Sequence, residues 1–491
     1  MYKKIRGDIG APIINQQVLD KIIKYYIGIT IIAFQLYTIA PFISFISGNF
    51  LYSFKTYLGL IGGVLIVADL VTQKNILKGQ YWKLLFIFLI LAILSAFKMR
   101  RYGVKDNIFN IAWVTIQFSI FYSFIYSLNK ESIFKMLKRI FSISLLINVM
   151  ACLYSIFMFF SMKGYTFIAD TRTNNPELVR QGLYNNRLFG VFTGIDYAVY
   201  FSFILILGCI YFYNKDTNKK SRIIYVLSII IMFFYIVLSG SRSVLISIIL
   251  VVVFLSNYFY FKDVNKNPKY TFFKFILIST ISALLFTLSV ELVKFASVKT
   301  LNNLVSLEYK GNENDAKPRK KHIQDLDRDE LKDNYFDSNG RFTIWSDYME
   351  MYKDYGFLGL SISNYNDYIS ENHKDKYIVK YFKSLAESSG KTDLVYESHN
   401  NLIFILVSSG YLGFIIFLIF LLKVIIKIID QIFIKKKLSL EIAILLSILF
   451  VLVVQSMFMN SIFLKINIMS FIFWFCLGIL IKLLNEKDVT I

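Results

Sequence analysis

The feature that most constrains this chain is a succession of uncharged apolar runs, each about 18 residues or longer, spread over most of its 491 residues. Such runs are buried in lipid, whereas a soluble domain alternates apolar and polar positions to keep one face wet. Hydrophobic residues make up 56% of the chain and charged residues only 18%, too little polar surface for several soluble domains. The pattern predicts an all-α polytopic membrane protein of about twelve transmembrane helices. They are expected near 25–46, 54–72, 82–97, 106–128, 140–162, 188–213, 223–239, 243–261, 273–293, 399–421, 438–459 and 467–483.

An even number of spans puts both termini on one side. Lys and Arg number 27 in the loops on that side and 11 on the other, the long loop excluded. By the positive-inside rule both termini are expected in the cytoplasm, and the protein in the cytoplasmic (inner) membrane. The formal charge of +21 therefore belongs to short loops facing anionic headgroups. The bilayer suffices as its partner, and no nucleic acid is implied. Cys152, Cys209 and Cys476 lie inside apolar segments and read as small core hydrophobes. The polar, amphipathic stretch from Met1 to Lys24 lacks the shape of a cleaved signal, so the first span is expected to stay as an anchor.

Three regions follow: helices one to nine over 1–293, a large extracytoplasmic loop over 294–398, and helices ten to twelve over 399–491. The loop is too long for a passive connector, and its 16 bases nearly balance 18 acids. Phe342, Trp345, Met349 and Tyr352 repeat at helical spacing behind a cap at Ser338, which predicts a helix with one face on lipid or protein. A second helix is expected over Asp367 to Ser388.

Three polar groups stand at the external start of an apolar span: Arg187 before the sixth, Arg242 before the eighth and His399 before the tenth. Each is expected at a helix N-terminus, where unpaired amides and the macrodipole favour an anion. Two guanidinium forks can grip a diphosphate without a metal. The same positive end keeps an imidazole neutral near pH 7, so His399 is placed to take a proton from an attacking hydroxyl. Set against this, an arginine near a helix end also snorkels to lipid phosphate, and a lone histidine also caps or packs.

Arg341, one turn before Trp345, is a further candidate for diphosphate or sugar. Trp345 is more readily an interfacial anchor than a sugar platform. Asn400, Glu397 and Arg180 complete the set as sugar contacts or support. Asp325, Asp327 and Asp329 alternate as a metal site would, but Lys320, Lys321 and Arg328 among them give a solvated charged segment instead, so neither metal nor cofactor is expected. His322 and His373 read as surface residues. Asp69, Asp196 and Glu291 lie within spans and need partners that the sequence does not name.

The order of short motifs adds a resemblance. Asn186-Arg187-Leu188-Phe189-Gly190, Ser239-Gly240-Ser241-Arg242-Ser243, Gly340-Arg341-Phe342-Thr343-Ile344-Trp345, Gly356-Phe357-Leu358-Gly359, Ser398-His399-Asn400-Asn401 and Gly410-Tyr411-Leu412-Gly413 follow one another over roughly 180–420. The series resembles the O-antigen ligase and Wzy-type polysaccharide polymerase superfamily. The resemblance implies a GT-C-like fold and metal-independent, inverting transfer of a glycan from undecaprenyl diphosphate to an acceptor hydroxyl. It implies that Arg187 and Arg242 hold the diphosphate, that Arg341 matches a loop arginine, and that His399 is the base. Lipid-linked donor and acceptor oligosaccharides are then the substrates, with a flippase and a chain-length regulator as working neighbours. A composition rich in Ile, Lys, Asn and Tyr leans toward a capsule-type polymerase over a ligase that uses a lipid or protein acceptor. The rival from another class is a flippase or exporter of lipid-linked oligosaccharide, which has no evident use for about a hundred external residues.

Overall fold

The computed structural model describes residues 16–40, 48–170, 176–184, 187–262, 268–310, 340–389, 396–459 and 462–486. Every expected span finds a long helix. They are α1 (Gln16–Leu36), α2 (Gly48–Thr72), α3 (Trp82–Lys98), α4 (Lys105–Ser127) and α5 (Lys130–Phe160). After a small sheet come α6 (Ile195–Lys215), α7 (Lys219–Leu238), α8 (Arg242–Lys262) and α9 (Pro268–Lys310). Among the described residues, nine helices are long and apolar enough to cross a membrane. The chain is an all-α polytopic membrane protein.

Segment 340–389 carries α10 (Arg341–Glu350), a single turn over Tyr352–Tyr355, α11 (Tyr365–Asn372) and α12 (Tyr377–Ser389). The chain re-enters the bundle through α13 (Asn401–Ile429), α14 (Leu440–Ser456) and α15 (Ile468–Asn485). Several starts are fixed by side-chain caps. Asn129 accepts from the Ser132 amide, Asn218 from Lys220, Ser439 from Ile442 and Asn467 from Ser470.

At the centre lies α15, which is 89% buried, with α6 at 78%, while α9 is only 17% buried and lies outermost. A helix buried all round must be apolar all round. Trp474 at its middle packs edge-on to Phe118 at 4.6 Å and Phe473 at 5.3 Å, and its indole N–H donates to the Phe463 carbonyl at 3.0 Å. The three cysteines are free and buried.

Contacts at the helix ends show that the long helices alternate in direction. On one face, the end of α6 meets the start of α14 through Lys215 and Glu441 at 2.8 Å, and Gln73 after α2 donates to the Gln16 carbonyl at 3.1 Å. On the other, Asn401 at the start of α13 donates to the Met459 carbonyl after α14 at 2.6 Å. This second face carries all the residues singled out for chemistry.

Several expectations are corrected here. The sixth span does not begin at 188, because 187–190 is the third strand of an antiparallel sheet ordered β1 (Gly164–Asp170), β2 (Pro176–Tyr184), β3 (Arg187–Gly190). The apolar run from Leu188 to Val191 belongs to that strand, and α6 starts only after Gly194. The helix entering the loop runs on to Lys310. Asp367 to Ser388 is two helices. On α10 the inward face is Ile344, Asp347 and Tyr348, while Phe342 and Met349 of the expected stripe are exposed. Ser338, His322 and the Asp325 to Asp329 run lie outside the described residues, and Gly340 precedes α10.

Candidate active site

The site begins with the strand that carries Arg187. Three helices clamp β3 and the residues after it: the Val191 amide donates to Ser155 Oγ of α5 at 3.0 Å, Tyr235 of α7 donates to the Phe189 carbonyl at 3.3 Å, and the Ala40 amide after α1 donates to the Val191 carbonyl at 2.7 Å. Arg187 is thereby set against the turn joining α7 to α8. Its Nε–H donates to the Ser239 carbonyl at 3.1 Å. Gly240 takes a positive φ of 63° in that turn, facing the Arg187 side chain.

The same turn links two further candidates. Ser241 Oγ donates to Asp196 Oδ1 at 3.4 Å, which supplies the partner Asp196 required, and Arg242 follows as the first residue of α8. Arg242 therefore occupies a helix N-terminus as expected, whereas Arg187 does not. Ordering comes instead from the carbonyl to which Arg187 donates.

His399 lies on the extended segment between α12 and α13. Its φ of 49° is left-handed, a region that histidine tolerates better than most residues but still at some cost. The residues on either side hold it there. The Trp345 indole N–H donates to the Ser398 carbonyl at 2.8 Å, Tyr348 donates to the Tyr396 carbonyl at 2.7 Å, and Asn400 Oδ1 accepts the Leu402 amide at 2.9 Å. Asn400 is thus the N-cap of α13, buried and facing its own helix. Trp345 is a tie to the histidine segment.

The imidazole is half-buried and stacks on Phe382, centroids 6.2 Å apart. Its Nδ1 is 3.7 Å from Glu397 Oε2, too long for a hydrogen bond but close enough to feel the charge. Burial lowers the His399 pKa from its ordinary value. Glu397 opposes the shift, Arg341 adds to it, and Asp196 opposes it again. His399 thus feels the charges of both the loop arginine and the acid tied to the α7–α8 turn.

Arg341 opens α10, and its guanidinium lies 5.7 Å from the Phe458 ring beyond the end of α14. Arg180 is not drawn into the cluster: it is exposed on β2 opposite Thr166, about 13 Å along the strand from the Tyr184–Arg187 pair. His373, read as a surface residue, is partly buried and bonded to Asp354 at 2.6 Å. Asp69 accepts the Ile76 amide at 2.9 Å and Glu291 pairs with Lys294 at 3.2 Å, so both have structural partners away from the site. Among the described residues no group of three His, Cys, Asp or Glu has the geometry of a metal site.

Two glycine motifs position the ends of this layer. The Tyr411 amide donates to the Gly356 carbonyl at 3.1 Å, Leu412 to Phe357 at 3.2 Å, and Leu360 to Val407 at 2.7 Å. Gly410 breaks α13 with φ 66° and ψ −171°, and a Cβ there would lie 2.3 Å from the Gly359 amide nitrogen. Ser95 of α3 closes the joint, donating to Ser408 at 3.0 Å and accepting from Ser361 at 2.9 Å. The histidine segment is therefore anchored at both ends of the first part of α13.

Residues 227–418 match the O-antigen ligase family, Wzy_C. The matched O-antigen ligase domain contains Arg242, Arg341, Trp345, Glu397, His399 and Asn400, and Arg187 precedes its first residue. Over those residues the chain is similar to the O-antigen ligase family, within a protein whose helices are long and apolar enough to cross a membrane. No curated protein matches the chain.

Sequence reasoning did not find Phe382 beside the imidazole, Ser241 as the partner of Asp196, or buried Tyr200, which shares the surroundings of Asp196 and Arg341. Spacing offered one signal, because Tyr200 lies a helical turn beyond Asp196 on α6.

Proposed function

We propose that this protein polymerises undecaprenyl-diphosphate-linked oligosaccharide repeat units on the outer face of the cytoplasmic membrane, as an inverting and metal-independent glycosyltransferase. The observation that carries this is the convergence of Arg187, Arg242, Arg341 and His399 on one face, joined through the Ser239–Ser241 turn, Asp196 and the Ser398 carbonyl. Arginines at one face, with the charge of Arg341 felt at an imidazole whose pKa is lowered by burial, suit a diphosphate leaving group and a neutral base.

In the proposed step the acceptor hydroxyl oxygen attacks the anomeric carbon from the side opposite the diphosphate. A new C–O bond forms, the C–O bond to phosphate breaks, and the diphosphate leaves with that electron pair toward Arg187 and Arg242. The hydroxyl proton passes to His399 Nε2, the nitrogen remote from Glu397. Segment 340–389, packed over the helix ends through Trp345, Ser361 and Leu360, supports transfer over transport, since a transferase needs a wall to hold its glycans and exclude water and an exporter does not.

The family description, O-antigen ligase, is equally consistent with a ligase reading, in which the acceptor is a lipid or protein in place of a growing glycan. Incubation of the purified protein with a synthetic lipid-linked repeat unit, products sized by mass spectrometry, separates the two. A ladder of oligomers on the polyprenyl carrier is the polymerase result. Single transfer to an added non-carrier acceptor, with no ladder, assigns the ligase. Movement of intact substrate across vesicles without any new glycosidic bond assigns the exporter.

A further inference from the structure

Opposite the candidate active site, a groove of about 640 Å³ runs between α1 and α5. It is lined by Lys21 and Lys24 from α1 and by Lys135 and Arg139 from α5. All four belong to the first halves of helices whose far ends approach the active-site face, so they lie toward the other surface of the membrane. Beyond them the lining is apolar, with Gly28, Ile29, Ile140 and Ile143 along its length.

We infer that this groove binds one anionic glycerophospholipid, its phosphate held by Lys24, Arg139 and their neighbours and one acyl chain laid along the apolar floor. The proposal is independent of the catalytic assignments. Charge and length together select the occupant. Lys24 to Leu36, both lining the groove, covers about 18 Å of helix, close to the roughly 15 Å of hydrocarbon in one leaflet. A basic headgroup end above such a floor matches a lipid phosphate, while a soluble phosphate leaves the floor uncovered. Acids do not line the groove: Asp20 interacts with Lys24, Gln73 and Lys78, toward α2, and Glu131 pairs with Lys135 on the exposed surface at 3.4 Å. Gly28 keeps the floor open, since a Cβ there would already contact Ile140 at 3.6 Å and a longer side chain would occupy the channel.

Native mass spectrometry of the full chain tests this by titration with phosphatidylglycerol and phosphatidylcholine of identical acyl chains, and with glycerol 3-phosphate as the soluble anion. The wild type is expected to prefer phosphatidylglycerol. In K24Q/R139Q binding of that lipid weakens by about 30-fold while phosphatidylcholine is unaffected. The charge-conserving K24R/R139K retains the preference, and G28L weakens both lipids. Equal binding of the two lipids by the wild type overturns the proposal. So does an undiminished preference in K24Q/R139Q, loss of preference in K24R/R139K, or full competition by glycerol 3-phosphate, which would reduce the groove to an anion site.

Discussion

The Trp345 indole N–H donates to the Ser398 carbonyl at 2.8 Å, so the first loop helix is tied to the peptide group preceding His399. That bond offsets the left-handed φ of His399 and sets the imidazole's direction without touching it. Trp345→Phe keeps the ring and its edge contact with Phe342 at 5.4 Å but loses the donor. The expected outcome is about 1 kcal/mol of stability lost and turnover reduced roughly tenfold, with the KM for the donor nearly unchanged. Steady-state kinetics of the variant check the split.

Gly410 and Gly359 meet backbone to backbone, both at positive φ. Gly410→Ala places a Cβ 2.3 Å from the Gly359 nitrogen and imposes a disfavoured φ. The loss is expected to reach about 3 kcal/mol, read as a large drop in Tm and in folded yield. A variant with wild-type Tm would show that the joint between the loop and α13 does not stabilise the fold.

His399 titrates below the ordinary imidazole value of 6.5 because burial outweighs the pull of Glu397. The folded protein therefore binds this proton less readily than the unfolded chain does. Its contribution to stability is complete above that ordinary value and is lost as pH falls below it. The neutral base follows the same direction, so the acid limb of the rate profile should fall below pH 6.5. Glu397→Gln removes the opposing carboxylate and should move that limb lower still, as a pH series on the variant would show.

Much of the fold was legible because lipid burial writes itself into sequence as long uncharged runs, and each expected run meets a long helix, although the first helix begins at Gln16 instead of 25 and the sixth at Ile195 instead of 188. Arg242 and His399 stood out by the same logic, as polar groups at the ends of apolar segments, and both lie at such ends. Arg187 was misplaced onto a helix start because Leu188, Phe189 and Val191 are apolar whether they extend a helix or fill a strand, and periodicity does not separate the two over four residues. The pairing of Gly356–Gly359 with Gly410–Gly413 was beyond reach for a different reason. Both motifs were visible, but a backbone contact between residues some fifty positions apart leaves no local pattern. Asn400 was expected as a sugar contact or support, and its Oδ1 caps α13, which is a supporting role that amide side chains fill with the same atoms they would offer a ligand.

Guanidinium groups replace a metal in the proposed mechanism. Transfer by the purified protein is therefore expected to continue in excess EDTA at an unchanged rate, with no gain on adding manganese or magnesium. A rate abolished by chelation and restored by one of these ions would transfer the diphosphate-neutralising role from the arginines to the metal.

The most direct measurement separates binding from chemistry at the cluster itself, using a non-hydrolysable polyprenyl diphosphate analogue for affinity and a lipid-linked repeat unit for single-turnover transfer. Arg187→Lys and Arg242→Lys should each weaken the analogue by about 10- to 100-fold, because lysine cannot reproduce the two-pronged contact. His399→Ala should bind the analogue as the wild type does and lose transfer by at least about 100-fold. Unaltered analogue affinity in both arginine variants, or unaltered transfer in His399→Ala, would contradict the assignment of leaving-group and base roles.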